Sequence, residues 1–164
     1  MKVDIEQRGS LTRQQLGKKV DAVLELLREN PDPRRAERLE ILARSLLTYS
    51  PVTYVFSPDK EQISEWIGEF LDFIEQRRDE AAVRIGSYGR EGRCFLLTNT
   101  QDAVHLLDSV QAFLKREGYR FFVVAHPILA IRRNRGKVVE FSEIEEGGSP
   151  RESFILMELD KGIA

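Results

Sequence analysis

The chain has 164 residues, of which 41% are hydrophobic and 32% charged, with a formal net charge of −2. That balance belongs to a packed, soluble protein and excludes a disordered one. It also lacks the basic excess expected of a nucleic-acid binder. Cys94 is the single cysteine, which rules out an internal disulfide and a cysteine-based zinc site. The polar start MKVDIEQRGSLTRQQ has no apolar signal core, and no apolar run nears the ~20 residues of a membrane span. The expectation is a cytoplasmic protein with no membrane and no nucleic-acid partner.

Residues 10–29 read as a helix. Ser10 can cap it, and Leu16, Val20, Val23, Leu24 and Leu27 recur on one face. Asn30-Pro31-Asp32-Pro33 ends it, because proline lacks the amide donor and restricts its predecessor. A second helix over about 34–48 carries Leu39, Leu42, Ala43 and Leu46, and the chain breaks again around Pro51 to Phe56. Ser57-Pro58-Asp59 opens a third helix, with serine as cap, proline at the first position and an acid at the positive end of the dipole. Its buried face is Ile63, Trp66, Ile67, Phe70 and Ile74, and Gln76 to Glu80 is a polar exit. Three helices with one apolar stripe each must pack together, on the rest of the chain, or on a partner.

The period changes at Ala82. Val83, Ile85 and Ser87 alternate with Arg84 and Gly86, Gly89 to Gly92 is turn-like, and Arg93 to Thr98 is a second strand, which predicts a hairpin. Asn99 or Thr100 caps a helix from about 101 to 117, with Ala103, Leu106, Leu107, Val110 and Leu114 as its core stripe and Gly118 as its stop. Tyr119 to Ile131 is apolar on both alternations, the mark of a central strand covered on both faces. Pro127 cannot donate to a ladder and predicts a bulge or break within it. Asn134-Arg135-Gly136 turns into a strand at 137–144. Gly147 to Pro150 is a loop, and Ser153 to Leu159 is a last strand.

Few residues in this chain suggest chemistry. Gly86 to Gly92 is glycine-rich after a strand, but its spacing and the strand that follows fit a hairpin turn rather than a dinucleotide cradle. His105, Asp108 and Ser109 share a helix, yet no oxyanion donors face them, and a solvated surface is the favoured reading. His126 reads as a hydrogen-bonded structural imidazole, because two histidines without a third ligand make a poor metal site. Arg132, Arg133, Arg135 and Lys137 read as a solvated hairpin tip that keeps the sheet edge from aggregating. Cys94 lies among apolar residues and reads as buried rather than reactive. The segment Thr98 to Ala103 joins a strand to a helix N-terminus, where free amides favour an anion. Helix capping alone is the simpler reading. If a ligand binds, Asn99, Thr100, Gln101, Asp102 and Ala103 are the candidates, the turn receiving its carboxylate and Asp102 its ammonium.

Several stretches are similar to one family. Gln101 to Val110, QDAVHLLDSV, resembles the acidic–x–Pro–x–Leu-Val-Asp-Ser-Val segment of the large bacterial NAD-specific glutamate dehydrogenases, with Val104 standing where that family has proline. Lys115 to Gly118, His126 to Leu129, Ile131 to Arg133 and the glycine hairpin follow in the family's order. Arg151-Glu152-Ser153-Phe154, running into Met157-Glu158-Leu159-Asp160, matches its R-E-S-aromatic strand and closing acid. Upstream, Leu42 to Ser50, Phe73-Ile74 and Val83 to Ile85 keep the order of its helical leader and first strand. The likeness covers about 40–160 and is strongest over 93–160.

The resemblance implies an α+β chain: a helical segment over 1–80, then an ACT-like antiparallel sheet with one packed helix over 81–164. It implies a non-catalytic regulatory or assembly domain with no cofactor of its own. Dehydrogenase activity and NAD would belong to the parent protein. The expected partners are the rest of that polypeptide or further copies of the chain, and an amino acid as ligand. The alternatives are a ligand-free self-association module using an exposed sheet edge, and a free-standing amino-acid-binding protein. A small enzyme using His105 or His126 ranks last. The minimal ACT unit is βαββαβ, so a chain ending after the last strand above is either part of a larger polypeptide or completes its sheet otherwise. The strand at 137–144 is extra to that unit.

Overall fold

The computed structural model describes residues 13–49, 59–88, 92–144 and 150–160. The expected Ser10 cap, the break at 51–56, the Ser57-Pro58 opening, the tip at 89–91, most of the 147–150 loop and the end at 161–164 lie outside them. Among the described residues there are four helices and six strands, in the order α1 (Arg13–Arg28), α2 (Pro33–Tyr49), α3 (Lys60–Gln76), β1 (Ala81–Tyr88), β2 (Arg93–Gln101), α4 (Leu106–Arg116), β3 (Phe121–Ala125), β4 (Ile128–Asn134), β5 (Lys137–Ser142) and β6 (Arg151–Leu159). This is the α+β arrangement expected, with helices first and an antiparallel sheet after.

Capping residues set the helix starts. Asp32 Oδ1 accepts from the Arg34 amide at 3.0 Å, with Pro33 as the first residue of α2. Proline suits that position because its missing amide would have no helical partner. Asp59, rather than Ser57, caps α3, its carboxylate accepting from the Gln62 amide at 2.8 Å. The three helices bury the stripes read from the sequence: Val23, Leu24 and Leu27, then Leu39, Leu42, Ala43 and Leu46, then Ile63, Trp66, Ile67, Phe70 and Ile74. Arg35–Asp72 at 2.8 Å and Arg38–Glu75 at 2.7 Å link α2 to α3 outside this core.

The sheet runs β1-β2-β6-β4-β5, and β3 also pairs with β6. Thus β3 and β4 are one strand path broken at His126-Pro127, as the proline predicts. Pro127 still accepts from the Phe154 amide at 3.1 Å. Of the stretch Tyr119 to Ile131, expected as a central strand, β4 lies inside the sheet between β6 and β5 and β3 pairs with β6 alone, while β6 is the middle strand. It is flanked by β2 on one side and β3/β4 on the other, and all of Glu152 to Leu159 is buried. The apolar runs do not distinguish the two, although Phe121 to Val123 are only half-buried whereas Glu152 to Leu159 are all buried. The β4–β5 hairpin turns at Arg135 (φ 50°) and Gly136 (φ 79°), the paired positive φ of a tight two-residue hairpin turn.

The two faces carry separate cores. Against α1–α3 lie Phe95, Leu97, Leu129, Ile131, Phe154 and Leu156. Aromatic edges interlock there: Trp66 meets Phe95 at 5.5 Å between centroids and Phe70 meets Tyr88 at 5.8 Å. At one end of this face the buried Arg93 binds Glu158 through two nitrogens, at 3.2 and 3.0 Å, and lies over the Trp66 ring. On the other face Leu96, Ile155, Met157 and Leu159 meet Leu106, Leu107, Val110 and Leu114, all from α4. One helix covers less than three do, and Val83 and Ile85 stay 65% and 42% exposed.

Candidate functional site

At one end of the sheet the chain path turns polar. β2 runs out through Thr98, Asn99, Thr100 and Gln101, opposite β6 entering through Glu152 and Ser153. Beside them, Ile128 just after the break pairs with Ser153. The expected helix start at about 101 is therefore corrected. Asn99 to Gln101 remain in β2 because β6 pairs with them, and Asp102 adds one more bond, its amide to the Arg151 carbonyl at 2.9 Å. The helix begins at Leu106 instead. His105 precedes it at φ 62° and gives no side-chain cap.

The two sides of the sheet use these residues differently. Toward α3, Glu152 gathers a network. Arg133 reaches it bidentately at 2.7 and 2.9 Å, Arg77 at 2.5 Å and Asn99 Nδ2 at 3.1 Å. Asn99 is fully buried and also donates to the Ser153 carbonyl at 3.3 Å. Arg133 donates further to the carbonyls of Ile74 (2.8 Å) and Arg77 (3.1 Å), and so satisfies the end of α3. Burial pushes the Glu152 carboxyl up. The Arg133 hydrogen bond and charge, with Arg77 and Asn99, outweigh this and leave its pKa below the ordinary value. Both carboxylate oxygens are taken, so the network fastens the end of α3, β2, β4 and β6 together, and Arg77 Nε is buried in it with no hydrogen-bond partner among the described residues.

On the α4 side, His126 Nε2 lies 2.7 Å from Ser153 Oγ. Burial lowers the His126 pKa, and the charge of Asp102 works against that. Ser153 is fully buried and His126 half-buried, which fits the hydrogen-bonded imidazole expected. Thr98 Oγ1 is buried nearby on the same face of β2 with no hydrogen-bond partner among the described residues. His105 and Asp108, 3.3 Å apart, are both largely exposed, which is the solvated surface expected.

Of the five candidate ligand residues, Asn99 belongs to the Glu152 network. Thr100 Oγ1 donates to the Gln101 carbonyl at 2.9 Å. Gln101, Asp102 and Ala103 are exposed and lead to the first turn of α4. A free carboxylate and helical amides without a side-chain cap thus stand a few residues apart. Among the described residues no group of three or more His, Cys, Asp or Glu could hold a metal. Gly86 lies in β1 and Gly92 just before β2, and these two strands pair antiparallel, so the stretch is not the strand-to-helix turn that a dinucleotide pyrophosphate needs.

Two features were missed from sequence. Arg133 reads as part of a solvated tip, and the exposed Arg132, Arg135 and Lys137 fit that reading. Arg133 instead follows Leu129 and Ile131 on the inward alternation, and that was the available signal. The second feature is a cleft of about 470 Å³ at the break, lined by Arg44, Ser45, His126, Pro127, Ile128, Glu143 and Ile144. It joins α2 to the β5 end, and no local pattern connects those segments.

A family model described as "Glutamate dehydrogenase, ACT1 domain" matches residues 69–162, more than half of the chain, from the middle of α3 through the whole sheet. No match to the chain was found among the curated proteins or among the solved structures. No helix of the described residues is long and apolar enough to cross a membrane.

Proposed function

We propose that this chain, which belongs to the glutamate dehydrogenase ACT1-domain family, is the non-catalytic regulatory and assembly domain of a NAD-dependent glutamate dehydrogenase-like protein in the cytoplasm, and that it senses an amino acid. The family match over the sheet and α4 carries this reading. In it, the ligand's carboxylate meets the uncapped first turn of α4 at Leu106 and Leu107, where backbone amides and the helix dipole favour an anion. Asp102, exposed beside that turn, receives the ammonium. Thr100, Gln101 and Ala103 shape the approach, and Asn99 anchors the end of β2 through Glu152 rather than touching the ligand. NAD and hydride transfer belong to the parent enzyme, in a part of it other than this sheet.

Isothermal titration with a panel of amino acids tests the reading. Saturable binding of one or a few at up to millimolar levels, weakened by Asp102→Ala, is the expected result. No heat from any of them would remove the sensing role. A second reading, a ligand-free self-association module, is favoured by the exposed Val83 and Ile85 on an outermost strand.

A further inference from the structure

The cleft at the strand break brings together the second half of α2, the His126-Pro127-Ile128 break and the residues just after β5. Its volume of about 470 Å³ falls in the range of roughly 300–1,000 Å³ of small-molecule sites. His126 contributes a hydrogen-bond donor to it. Ser153 is fully buried, and His126 Nε2, at 2.7 Å, is the one hydrogen-bond partner of its hydroxyl among the described residues. A buried hydroxyl proton without an acceptor is costly, so the hydroxyl donates and Nε2 accepts. Burial keeps the imidazole neutral. The ring proton then sits on Nδ1, which has no partner among the described residues. Arg44 contributes a charge from α2. Its Nε and Nη2 donate to Glu40 Oε1 at 3.2 and 2.8 Å, and Nη1 has no partner among the described residues. Arg28 also binds Glu40, so these three side chains sum to one positive charge. The remaining lining is apolar at Pro127, Ile128 and Ile144 and acidic at the exposed Glu143.

We propose that this cleft binds a short aliphatic monocarboxylate, whose carboxylate accepts from Arg44 Nη1 and His126 Nδ1–H and whose apolar chain lies on Pro127, Ile128 and Ile144. One charged and one neutral donor suit a group that only accepts, and the guanidinium bond is charge-assisted. The ligand's negative charge is matched by the positive sum of Arg28, Glu40 and Arg44. Glu143 sets the selectivity, because the second anion of a dicarboxylate has no further cation in the lining and meets a like charge. The site shares no residue with the α4 turn proposed for amino-acid sensing, and it needs no ammonium on the ligand. The inference therefore goes beyond that reading and does not depend on it.

A two-dimensional NMR titration of the full chain with isovalerate tests this, with isovaleramide and glutarate as comparators. Saturable shifts at Arg44, Ser45, His126, Ile128, Glu143 and Ile144 are expected with isovalerate at millimolar levels. The amide and glutarate are expected to bind more weakly or not at all. Arg44→Gln is expected to weaken isovalerate binding by roughly tenfold or more, the loss of one charge-assisted hydrogen bond. Arg28 still holds Glu40 in that variant, and circular dichroism verifies the fold. Glu143→Gln is expected to leave isovalerate binding in place and to let glutarate bind. The imidazole nitrogen shifts of the free chain are expected to place the His126 ring proton on Nδ1. No saturable shifts at these residues with isovalerate overturn the inference. So does amide or glutarate binding as tight as that of isovalerate, binding that Arg44→Gln leaves unchanged, or a ring proton on Nε2. The probes carry no ammonium and the readout lies outside Thr100 to Asp108, so failure of this site and failure of the sensing role are separable.

Discussion

Glu152→Gln is the change that probes the fastening of helix to sheet most sharply. The substitution keeps the volume, so no cavity forms, but it removes the one negative charge between two guanidiniums. Glu152 is 4% exposed, and it accepts from Arg77 at 2.5 Å, from Arg133 at 2.7 and 2.9 Å and from Asn99 at 3.1 Å. Breaking a buried ion pair from one side costs about 3–5 kcal/mol, mostly because the remaining charge stays desolvated. For a chain of this size each kcal/mol moves the midpoint by roughly 2–4 °C, so a fall of about 10 °C is expected at pH 7. The depressed carboxyl pKa gives the effect a pH signature. The folded state holds the carboxylate more tightly than the unfolded chain does, so its contribution is full above about 4.5 and is lost as pH falls through the folded value. Wild type and Glu152→Gln should therefore converge in acid. Arg28→Ala is the matched control: Glu40 is held down to about 2 by Arg28 and Arg44, but the pair is partly exposed, and such pairs contribute about 0–1 kcal/mol. Thermal circular dichroism reads all three proteins. A midpoint for Glu152→Gln no lower than that of Arg28→Ala would refute the reasoning.

Two further outcomes follow from single positions. His126 is kept neutral by burial, so the unfolded chain takes up its proton first. Stability is full above about 6.5 and declines as pH falls below it, and His126→Gln should flatten that limb of a urea-midpoint profile. Gly136→Ala puts a side chain at φ +79° with its Cβ about 3.0 Å from Arg78 Cδ, so a loss of about 1–2 kcal/mol is expected by urea denaturation. A neutral result would mean that the β4–β5 turn changes form.

The helices and hairpins were legible because each rests on a local rule. Trp66, Phe70 and Ile74 fall on one helical face, Gly136 follows a turn residue, and Pro127 cannot donate. The errors arise where a local signal competes with a distant partner. Asn99 and Thr100 look like helix caps, and in isolation they would serve as such. Pairing along β6 keeps them in a strand, and the Asn99 amide is used by Glu152, 53 residues away. That β6 rather than β3/β4 is the middle strand is not legible for a related reason, since the two paths are similarly apolar and only the pairing order separates them. Arg77 falls in the polar exit after α3 and Arg133 in the charged hairpin tip, where arginine is usually solvated. Their burial depends on one carboxylate that lies 75 and 19 residues away. The candidate ligand residues were legible as a polar segment before a helix, whereas their division between a strand, a buried network and an exposed turn required the fold.

The sensing role is tested most directly by a two-dimensional amide NMR titration of the full chain with the amino-acid panel at millimolar levels. The account predicts saturable shifts confined to Thr100 through Asp108, centred on the Leu106 and Leu107 amides and abolished by Asp102→Ala. No shifts with any amino acid, or saturable shifts centred away from that turn and indifferent to Asp102→Ala, would contradict it.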